Sequence, residues 1–285
     1  MELSALRIFK AVAEEGGVTQ AAARLHRVQS NVSARLTQLE ESLGVTLFHR
    51  TGRRLQITPE GARLLNYADR LLQLADEAQA AVQPDGKPAG LLRIGSMETT
   101  AAARLPQVLA AFHRKHPEVE LVLDTGPSDY VLEGVLSHRL DVALVAAPVL
   151  QPELEQLPVF EEELVLITGA THGPVKSPRD LQRRGLLVFR SGCAYRRRLE
   201  GWFAEHGVAP TRVSEFGTFE AIIGCVAAGM GVAVMPKEIL NQRRLSKSLR
   251  LHELPAKTAR VKTMLVWRKD IQHHPARQAF AEAFA

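Results

Sequence analysis

The chain has 285 residues, of which 46% are hydrophobic and 24% are charged, and its formal net charge is +5. That length suits two or three domains that each bury a core, and the composition is ordinary for globular proteins. No apolar run approaches the ~18–20 residues of a membrane span, so we expect no membrane partner. The basic balance permits a nucleic-acid partner, but it is weak evidence because the densest basic runs lie late in the chain.

The first 17 residues are predicted to form an amphipathic helix. Apolar residues from Leu3 to Ala13 fall on one face, and Gly16-Gly17 ends the helix. The segment contains acids and lacks the basic start and apolar core of a signal peptide. The two cysteines of the chain make no disulfide framework, which favours a reducing compartment. We therefore expect a cytoplasmic protein.

Residues 19–40 are predicted to form two short helices joined by a tight turn. Thr19 is placed to cap the first helix, whose alanines allow a second helix to cross closely. In the second helix, Val32, Leu36, Leu39 and Leu43 repeat at spacings of four, three and four, which predicts a buried stripe. A helix presented in this way typically places its first turn in the major groove of DNA.

Polar side chains lie off this buried stripe. Glutamine and asparagine can read adenine edges, arginine can read guanine, and serine hydroxyls can reach phosphates, although a solvated polar face is the alternative. Beyond Gly44, a basic turn around Gly52 is predicted to be a β-hairpin wing whose arginines suit phosphates or a narrow minor groove. The predicted DNA-binding residues are Thr19, Gln29, Ser30, Asn31, Ser33, Arg35, Arg50, Arg53 and Arg54.

These residues together resemble the LysR-type transcriptional regulators. The family pattern has an AA pair, a leucine, a Q-x-x-x-S run, an LE pair, LG, LF-x-R and T-x-x-G in fixed order. The matching residues here are Ala21-Ala22, Leu25, Gln29 with Ser33, Leu39-Glu40, Leu43-Gly44, Leu47-Phe48 with Arg50, and Thr58 with Gly61. The chain departs from the family at Val28, Ser30 and Ala34, which shifts the expected base contacts to neighbouring positions and leaves the operator unpredictable.

Residues 59–88 are predicted to be a linker helix followed by a hinge. Thr58-Pro59-Glu60 is a typical helix start, and the segment from Leu64 to Ala78 carries an apolar stripe too long for the winged helix alone to cover. Packing on the chain's other domain would cover the stripe, but pairing with a second copy matches a two-fold operator better. The resemblance implies the same dimerising helix. Gln83 to Pro88 then mark the domain boundary.

From Leu91 onward, predicted strands alternate with helices, which indicates a parallel sheet covered on both faces. One helix is predicted from Thr99 to Lys115, and a strand over Val261 to Trp267 is expected to return from a second set of elements to the first. The resemblance names this arrangement a periplasmic-binding-protein-like effector domain over residues 89–285. Its lobe I would cover about 89–160 and 268–285, and its lobe II about 161–267.

The predicted fold class is therefore α/β. A winged helix-turn-helix over residues 1–58, with its long linker helix, precedes a two-lobed α/β effector domain that holds a ligand in its cleft.

Loops that follow strands are the expected cleft walls, because ligands of such sheets bind beyond the carboxyl ends of the strands. Thr99 and Thr100 begin a helix, where they either bind an anion or simply cap. Glu98 either pairs with an arginine or selects a ligand with a positive group. The predicted effector-binding residues are Ser96, Glu98, Thr99, Thr100, Thr125, Ser128, Ala146, Cys193, Tyr195 and Thr218.

Cys193 has two interpretations. It lies near a predicted helix start and just before Arg196-Arg197-Arg198, and both features would lower the pKa of a thiol and permit redox sensing. The alternative is a small residue in the wall of a pocket or turn. The arginine run is either solvated or holds an acidic effector. Cys225 lies on an apolar helix, so a disulfide has no support.

The function that we predict is ligand-responsive transcriptional regulation. A solute-binding protein would need a signal peptide and no winged helix. An enzyme is disfavoured because the histidines show no metal-ligand spacing and no G-x-S-x-G or phosphate-binding loop occurs. We expect no metal and no cofactor, only a small-molecule effector. The resemblance implies double-stranded DNA and further copies of the chain, as a homodimer and a dimer of dimers, as partners. RNA polymerase is a further candidate partner.

Overall fold

The structure, a computed structural model, describes residues 2–51, 54–81, 87–181, 183–242, 248–271 and 273–284. The chain divides into two compact units, one built on Met1–Gly86 and the other on Lys87–Leu136 and Leu140–Ala285. The helix predicted as a separate linker thus groups with the first unit, while most of the predicted hinge lies outside the described residues. In the part of the chain that the structure describes, no helix is both long and apolar enough to span a bilayer.

The first unit is a winged helix-turn-helix. Its elements are α1 (Leu3–Glu15), α2 (Val18–Arg24), α3 (Gln29–Leu43), β1 (Phe48–Thr51), β2 (Arg54–Ile57) and α4 (Pro59–Ala81). The core holds the apolar faces of all four helices, and the Phe9 ring lies against the Phe48 ring with centroids 5.5 Å apart. The periodicity of the sequence therefore predicts these elements correctly.

Glycines end two helices of this unit, as the sequence predicts. Gly16 and Gly44 both adopt a φ of 67°, a left-handed conformation that a side chain would strain. The prediction that Thr19 caps α2 is wrong. The helix begins one residue before it, at Val18, with the extended Gly17 in the capping position and no side-chain cap.

The second unit contains two lobes. Its elements are β3 (Gly90–Ser96), α5 (Glu98–Ala103), α6 (Leu105–Lys115), β4 (Val119–Thr125), α7 (Ser128–Leu136), β5 (Val142–Ala146), β6 (Leu154–Gly169), a 3₁₀ helix (Pro178–Leu181), β7 (Leu186–Phe189), α8 (Ala194–Glu205), β8 (Val213–Phe216), α9 (Phe219–Ala227), β9 (Ala233–Pro236), α10 (Lys237–Gln242), β10 (Leu249–Glu253), α11 (Ala256–Ala259), β11 (Arg260–Arg268) and α12 (Pro275–Glu282).

One long strand, β6, is shared by both lobes. Residues 154–163 of β6 pair with β11, whereas residues 164–167 pair with β9 and residues 165–169 with β10. In lobe I the order continues from β11 to β5, β3 and β4, and lobe II adds the parallel pair of β7 and β8. The sheet is mixed rather than parallel as predicted, because β11 returns antiparallel to β5 while β3, β4 and β5 run parallel.

Two boundaries differ from the sequence prediction. The strand predicted over Val261 to Trp267 does return to lobe I, as β11, because it pairs with β5 over residues 263–266; lobe I therefore resumes near Arg260 rather than at residue 268. The single helix predicted over 99–115 is broken at Arg104, which ends α5 and precedes α6. Pro106 causes the break, since proline lacks an N–H and is tolerated only in the first turn of a helix.

Candidate functional site

The second helix of the helix-turn-helix, α3, buries one face and exposes the other. Val32, Leu36 and Leu39 are buried in the core of the unit, as their spacing predicts. Leu43, predicted as the last buried position, is 38% exposed because the helix ends there at Gly44. The exposed face carries the predicted contacts Gln29, Ser30, Asn31, Ser33 and Arg35.

The start of α3 is equally accessible. Val28 occupies its N-cap position, makes no side-chain cap and is 69% exposed. Thr19 is exposed near the start of α2. An Arg35 guanidinium nitrogen lies 3.4 Å from a carboxylate oxygen of Glu2. Because both side chains are exposed, this pair contributes little stability and can exchange for another anion.

The predicted wing is present as an antiparallel hairpin. Phe48 pairs with Ile57 and Thr51 with Arg54. The backbones of Arg50 and Arg54 therefore lie on the two strands of the hairpin, while Arg53, at the predicted tip, lies outside the described residues.

Two polar residues hold the base of the wing against the helices. The Glu40 carboxylate accepts hydrogen bonds from the backbone N–H groups of Leu47, at 2.7 Å, and Phe48, at 3.3 Å. The Thr58 hydroxyl accepts from the Gly61 N–H and donates to the Thr46 carbonyl, both at 2.9 Å. These contacts give a structural reason for the LE and T-x-x-G parts of the sequence pattern.

The helix α4 follows the wing and has two apolar sides. Ala68 and Leu72 are buried in the core of the unit. Tyr67, Leu71 and Leu74 share another face, because they are spaced by four and three residues, and they are 60%, 36% and 61% exposed. This apolar stripe has no cover within the described part of the unit.

The second unit contains a cavity of about 230 Å³ beyond the ends of its strands. The segments that follow β3, β4, β7 and β8 form its walls, so both lobes contribute. Its lining residues are Met97, Glu98, Thr99, Thr125, Gly126, Pro127, Ser128, Phe189, Arg190, Cys193, Tyr195, Phe216, Gly217 and Thr218.

Most of the predicted effector residues line this cavity, namely Glu98, Thr99, Thr125, Ser128, Cys193, Tyr195 and Thr218. Three others lie behind its wall. Ser96 and Thr100 are buried, and the Ser96 hydroxyl donates to the carbonyl of Met97. Ala146 is buried in an apolar cluster that includes Tyr195. The sequence therefore predicts which loops form the cavity more accurately than it predicts which side chains of those loops line it.

The predicted effector residues omit four large lining residues, although three of them, Met97, Arg190 and Phe216, belong to the strand-end loops that the sequence predicts to face the cleft. Met97 and Arg190 adjoin predicted positions, and the phenylalanines Phe189 and Phe216 are the last residues of β7 and β8. These residues could have been predicted from their position at or just after the end of a strand, since the last residue of a strand faces the same cavity as the loop that follows it.

Glu98 is the negative group of the cavity. Desolvation by burial raises the pKa of its carboxyl group, and a hydrogen bond from the Phe219 backbone N–H opposes that shift. The nearby charge that acts on the pKa of Glu98 is Glu220, which raises it further. Among the described residues Glu98 forms no ion pair, so the predicted arginine partner is not present.

Arg190 is the positive group of the cavity. An ideal Cβ placed on Gly217 would lie 3.5 Å from a guanidinium nitrogen of Arg190, so this side chain lies over Gly217 on the lobe II wall. In the described part of the chain no carboxylate lies within ion-pair distance of Arg190. The cavity thus holds two opposite charges that do not neutralise each other.

Hydroxyl groups supply the remaining polar lining. The Ser128 hydroxyl is buried at the start of α7 and has no hydrogen-bond partner among the described residues. The Tyr195 hydroxyl lies beside those of Thr99 and Thr100, and burial raises the pKa of this phenol, so it remains a donor. Thr218 caps α9 by accepting from the Ala221 N–H at 3.3 Å.

The prediction that the pKa of Cys193 is lowered is wrong. Its side chain is buried at the N-cap of α8, and desolvation raises the pKa of the thiol more than the backbone amides and arginines lower it. A buried thiol of this kind is unreactive, so Cys193 fits the alternative of a small wall residue. Both Cys193 and Cys225 are free thiols.

The three consecutive arginines are engaged away from the cavity. Arg196 binds Glu200 and Glu215, Arg197 binds Asp129, and Arg198 donates to backbone carbonyls. The contact between Arg197 and Asp129, at 2.8 Å, joins lobe II to the start of α7 in lobe I. In the described residues no group of three or more histidine, cysteine, aspartate or glutamate side chains could hold a metal ion.

Comparison with known families assigns both units. Residues 3–62 match the bacterial regulatory helix-turn-helix protein, lysR family, and residues 85–285 match the LysR substrate binding domain. The regulator GltR of Bacillus subtilis is 41% identical over 280 residues, which cover 98% of this chain and 95% of GltR. The regulator YofA of Bacillus velezensis is 44% identical over 271 residues, which cover 95% of this chain and 93% of YofA.

Two solved structures agree with this assignment. Full-length CbnR complexed with its target DNA matches with a TM-score of 0.71 and 26% identity, over 100% of this chain and 99% of that chain. A full-length OxyR variant from Pseudomonas aeruginosa matches in fold with a TM-score of 0.75 and 22% identity, over 100% and 94% of the two chains. The chain belongs to the LysR family, as a DNA-binding transcriptional regulator with a substrate-binding effector domain.

Proposed function

We propose that this regulator contacts DNA through the exposed face of α3 and the wing, and that a small molecule in the cavity of the second unit modulates its action. The DNA contacts are supported by the exposure of Gln29, Asn31 and Ser33, whose amide and hydroxyl groups suit base edges and phosphates. These residues lie at the start of the helix that typically enters the major groove.

The observation that carries the effector assignment is the cavity itself. Both lobes line it, and the lining residue Ser128 has a buried hydroxyl without a partner among the described residues. A buried hydroxyl group is stabilised when a ligand supplies the missing hydrogen bond. A ligand that touches both lobes also favours one arrangement of the lobes over another, which is the requirement for regulation.

The regulator acts as a homodimer, and as a dimer of dimers on longer sites. The exposed stripe of Tyr67, Leu71 and Leu74 on α4 supports pairing with a second copy, because a two-fold dimer presents two recognition helices to two half-sites. Because it acts on DNA, we expect the protein to work in the cytoplasm. We assign it no catalytic activity.

Substitutions in the full-length chain test the DNA half of this proposal. Gln29→Ala and Ser33→Ala should each weaken binding to the chain's own upstream region by about fivefold or more, since a good base contact is worth ~1–3 kcal/mol. Gln38→Ala changes an exposed glutamine at the other end of the same helix and should leave affinity unchanged. Equal binding by all of these variants would remove Gln29 and Ser33 from the interface.

Thr125→Trp tests the effector half of the proposal, because Thr125 lines the cavity and is exposed rather than packed in the core. The bulky ring should abolish the response of DNA binding to the effector and leave DNA affinity without effector unchanged. Thr171→Trp, at an exposed threonine of the same unit outside the cavity, is the control. A response that survives Thr125→Trp would place the effector elsewhere.

A further inference from the structure

The cavity of the second unit holds one carboxylate and one guanidinium that face the same space without pairing. Glu98 follows β3 in lobe I, and Arg190 follows β7 in lobe II. Among the described residues neither side chain has an opposite charge within ion-pair distance, although many other charged groups of this unit are paired. Two unneutralised charges of opposite sign indicate a ligand that carries both.

The surroundings of Glu98 favour a cationic group of the ligand. This side chain is only partly exposed, and it accepts a hydrogen bond from the Phe219 backbone N–H. Its charged neighbour is another carboxylate, that of Glu220. A partly buried carboxylate is stabilised by an adjacent cation, and an ammonium group supplies both the charge and several N–H donors.

Two other residues of the cavity lining favour an anionic group. Ser128 begins the nine-residue helix α7, and its side chain is 4% exposed with an unpartnered hydroxyl among the described residues. Backbone N–H groups at a helix start carry partial positive charge, and a serine hydroxyl there adds a donor. Arg190 supplies a full positive charge with planar donors that suit a carboxylate.

The dimensions of the cavity restrict the ligand to a small molecule. A volume of about 230 Å³ equals the space of roughly seven or eight liquid water molecules, at ~30 Å³ each. Pockets for drug-sized ligands start at ~300 Å³, so the occupant is smaller than those. Met97, Phe189 and Phe216 in the lining provide apolar contacts for a short side chain of the ligand.

We propose that the cavity binds a free amino acid, with its ammonium group at Glu98 and its carboxylate at Ser128 and Arg190. This assignment rests on the proposed function of the cavity as the effector site and adds the chemical class of the effector. The net charge of the two side chains is zero, as is that of an amino acid with an uncharged side chain. Binding therefore neutralises both groups at once.

Titration calorimetry on the full-length protein tests the assignment. The probes are the proteinogenic amino acids, each added alone, and for each one that binds, the 2-hydroxy acid and the amine of the same carbon skeleton. We expect at least one amino acid to bind. Its 2-hydroxy acid should bind about 30-fold more weakly, since it leaves the partly buried Glu98 unpaired, and its amine should also bind more weakly, since it leaves Arg190 unpaired.

Matched variants identify the two ends of the ligand. Glu98→Gln should weaken binding of the amino acid about 30-fold and leave the weak binding of the hydroxy acid nearly unchanged. Glu220→Gln, the neighbouring carboxylate outside the cavity lining, should have little effect. Arg190→Gln should weaken binding of the amino acid and leave binding of the amine unchanged. Arg212→Gln, at an exposed arginine, is its control.

The outcomes separate this assignment from the proposed effector site. The hydroxy acid or the amine could bind as tightly as the amino acid, with Thr125→Trp abolishing the binding. That result would overturn the amino-acid class and keep the site. Amino-acid binding that Thr125→Trp leaves intact would overturn both. If none of the proteinogenic amino acids binds the folded protein, the proposed class is wrong.

Discussion

At the scale of single residues, Gly61 shows how one missing side chain positions the wing. An ideal Cβ on Gly61 would lie 2.4 Å from the Leu47 carbonyl oxygen, well inside contact distance. The close approach lets the Gly61 N–H reach the Thr58 hydroxyl while the backbone of Leu47 stays bound to Glu40. The start of α4 and the first strand of the wing are therefore fixed to each other by backbone contacts.

Gly61→Ala should lower the free energy of unfolding of the first unit by about 1–3 kcal/mol, because backbone atoms must move to admit the methyl group. Gly201→Ala is a matched control, since Gly201 also lies in a helix and has open space around its Cβ position. That control should leave stability unchanged or raise it by up to ~1 kcal/mol. Denaturant unfolding followed by circular dichroism measures both, and equal stabilities would contradict the steric argument.

The cavity illustrates what the sequence can predict about single residues. Glu98 and Ser128 were predicted at the site because each follows a strand, and the structure places both on the cavity wall. Ser96 and Thr100 belong to the same segment but turn inward and are buried. Which side of a short turn a side chain takes depends on the packing of distant elements, and local sequence does not contain that information.

At the scale of elements, the exposed face of α4 gives the clearest test of self-association. Leu74→Glu places a charge in the middle of an apolar stripe, and we expect the dimer to dissociate at least tenfold more readily, since a buried leucine contributes ~1.5–3 kcal/mol. Ala62→Glu adds the same charge to an exposed position on another side of this helix and should leave the dimer intact.

Sedimentation equilibrium measures the association of these α4 variants, and circular dichroism verifies that each one remains folded. A Leu74→Glu protein with the mass and affinity of the unsubstituted dimer would show that this stripe does not form the contact between copies.

The elements themselves were predictable where their signals are local. The buried stripe of α3, its glycine stop and the wing follow from spacing and turn residues alone. The first half of β6 was missed, because its alternately exposed residues include Pro158 and several acids and become a strand only by pairing with β11, about a hundred residues later. Long-range pairing of that kind leaves little trace in a local pattern.

At the scale of the whole molecule, a buried histidine makes the stability of the second unit depend on pH. The His252 ring accepts a hydrogen bond from the Val175 N–H at Nδ1 and lies 2.9 Å from the Thr168 hydroxyl at Nε2, so the neutral ring is fully bonded. Desolvation by burial and the nearby Arg250 and His172 lower the pKa of His252. The folded state therefore resists protonation more than the unfolded chain does.

We expect the free energy of unfolding of this unit to fall as pH drops below about 6.5, the range in which an unfolded histidine gains a proton. His252→Asn keeps an acceptor near the Val175 N–H but does not titrate, so its stability should fall less steeply between about pH 7.5 and pH 5.5. Part of the slope should persist, because burial also lowers the pKa of His274. Urea unfolding at several pH values measures the slopes, and identical slopes would exclude His252 as a source.

The sharing of β6 between the lobes has a consequence for chimeric regulators. Because β6 passes from lobe I into lobe II and β11 returns to lobe I, lobe I is made of two separate stretches of sequence, and exchanging the intervening lobe II block would cut through β6. The cavity walls, by contrast, come from four short segments at strand ends, residues 97–99, 125–128, 189–195 and 216–218. Grafting those four segments onto a relative's scaffold is the exchange most suited to transferring ligand choice without disturbing the sheet.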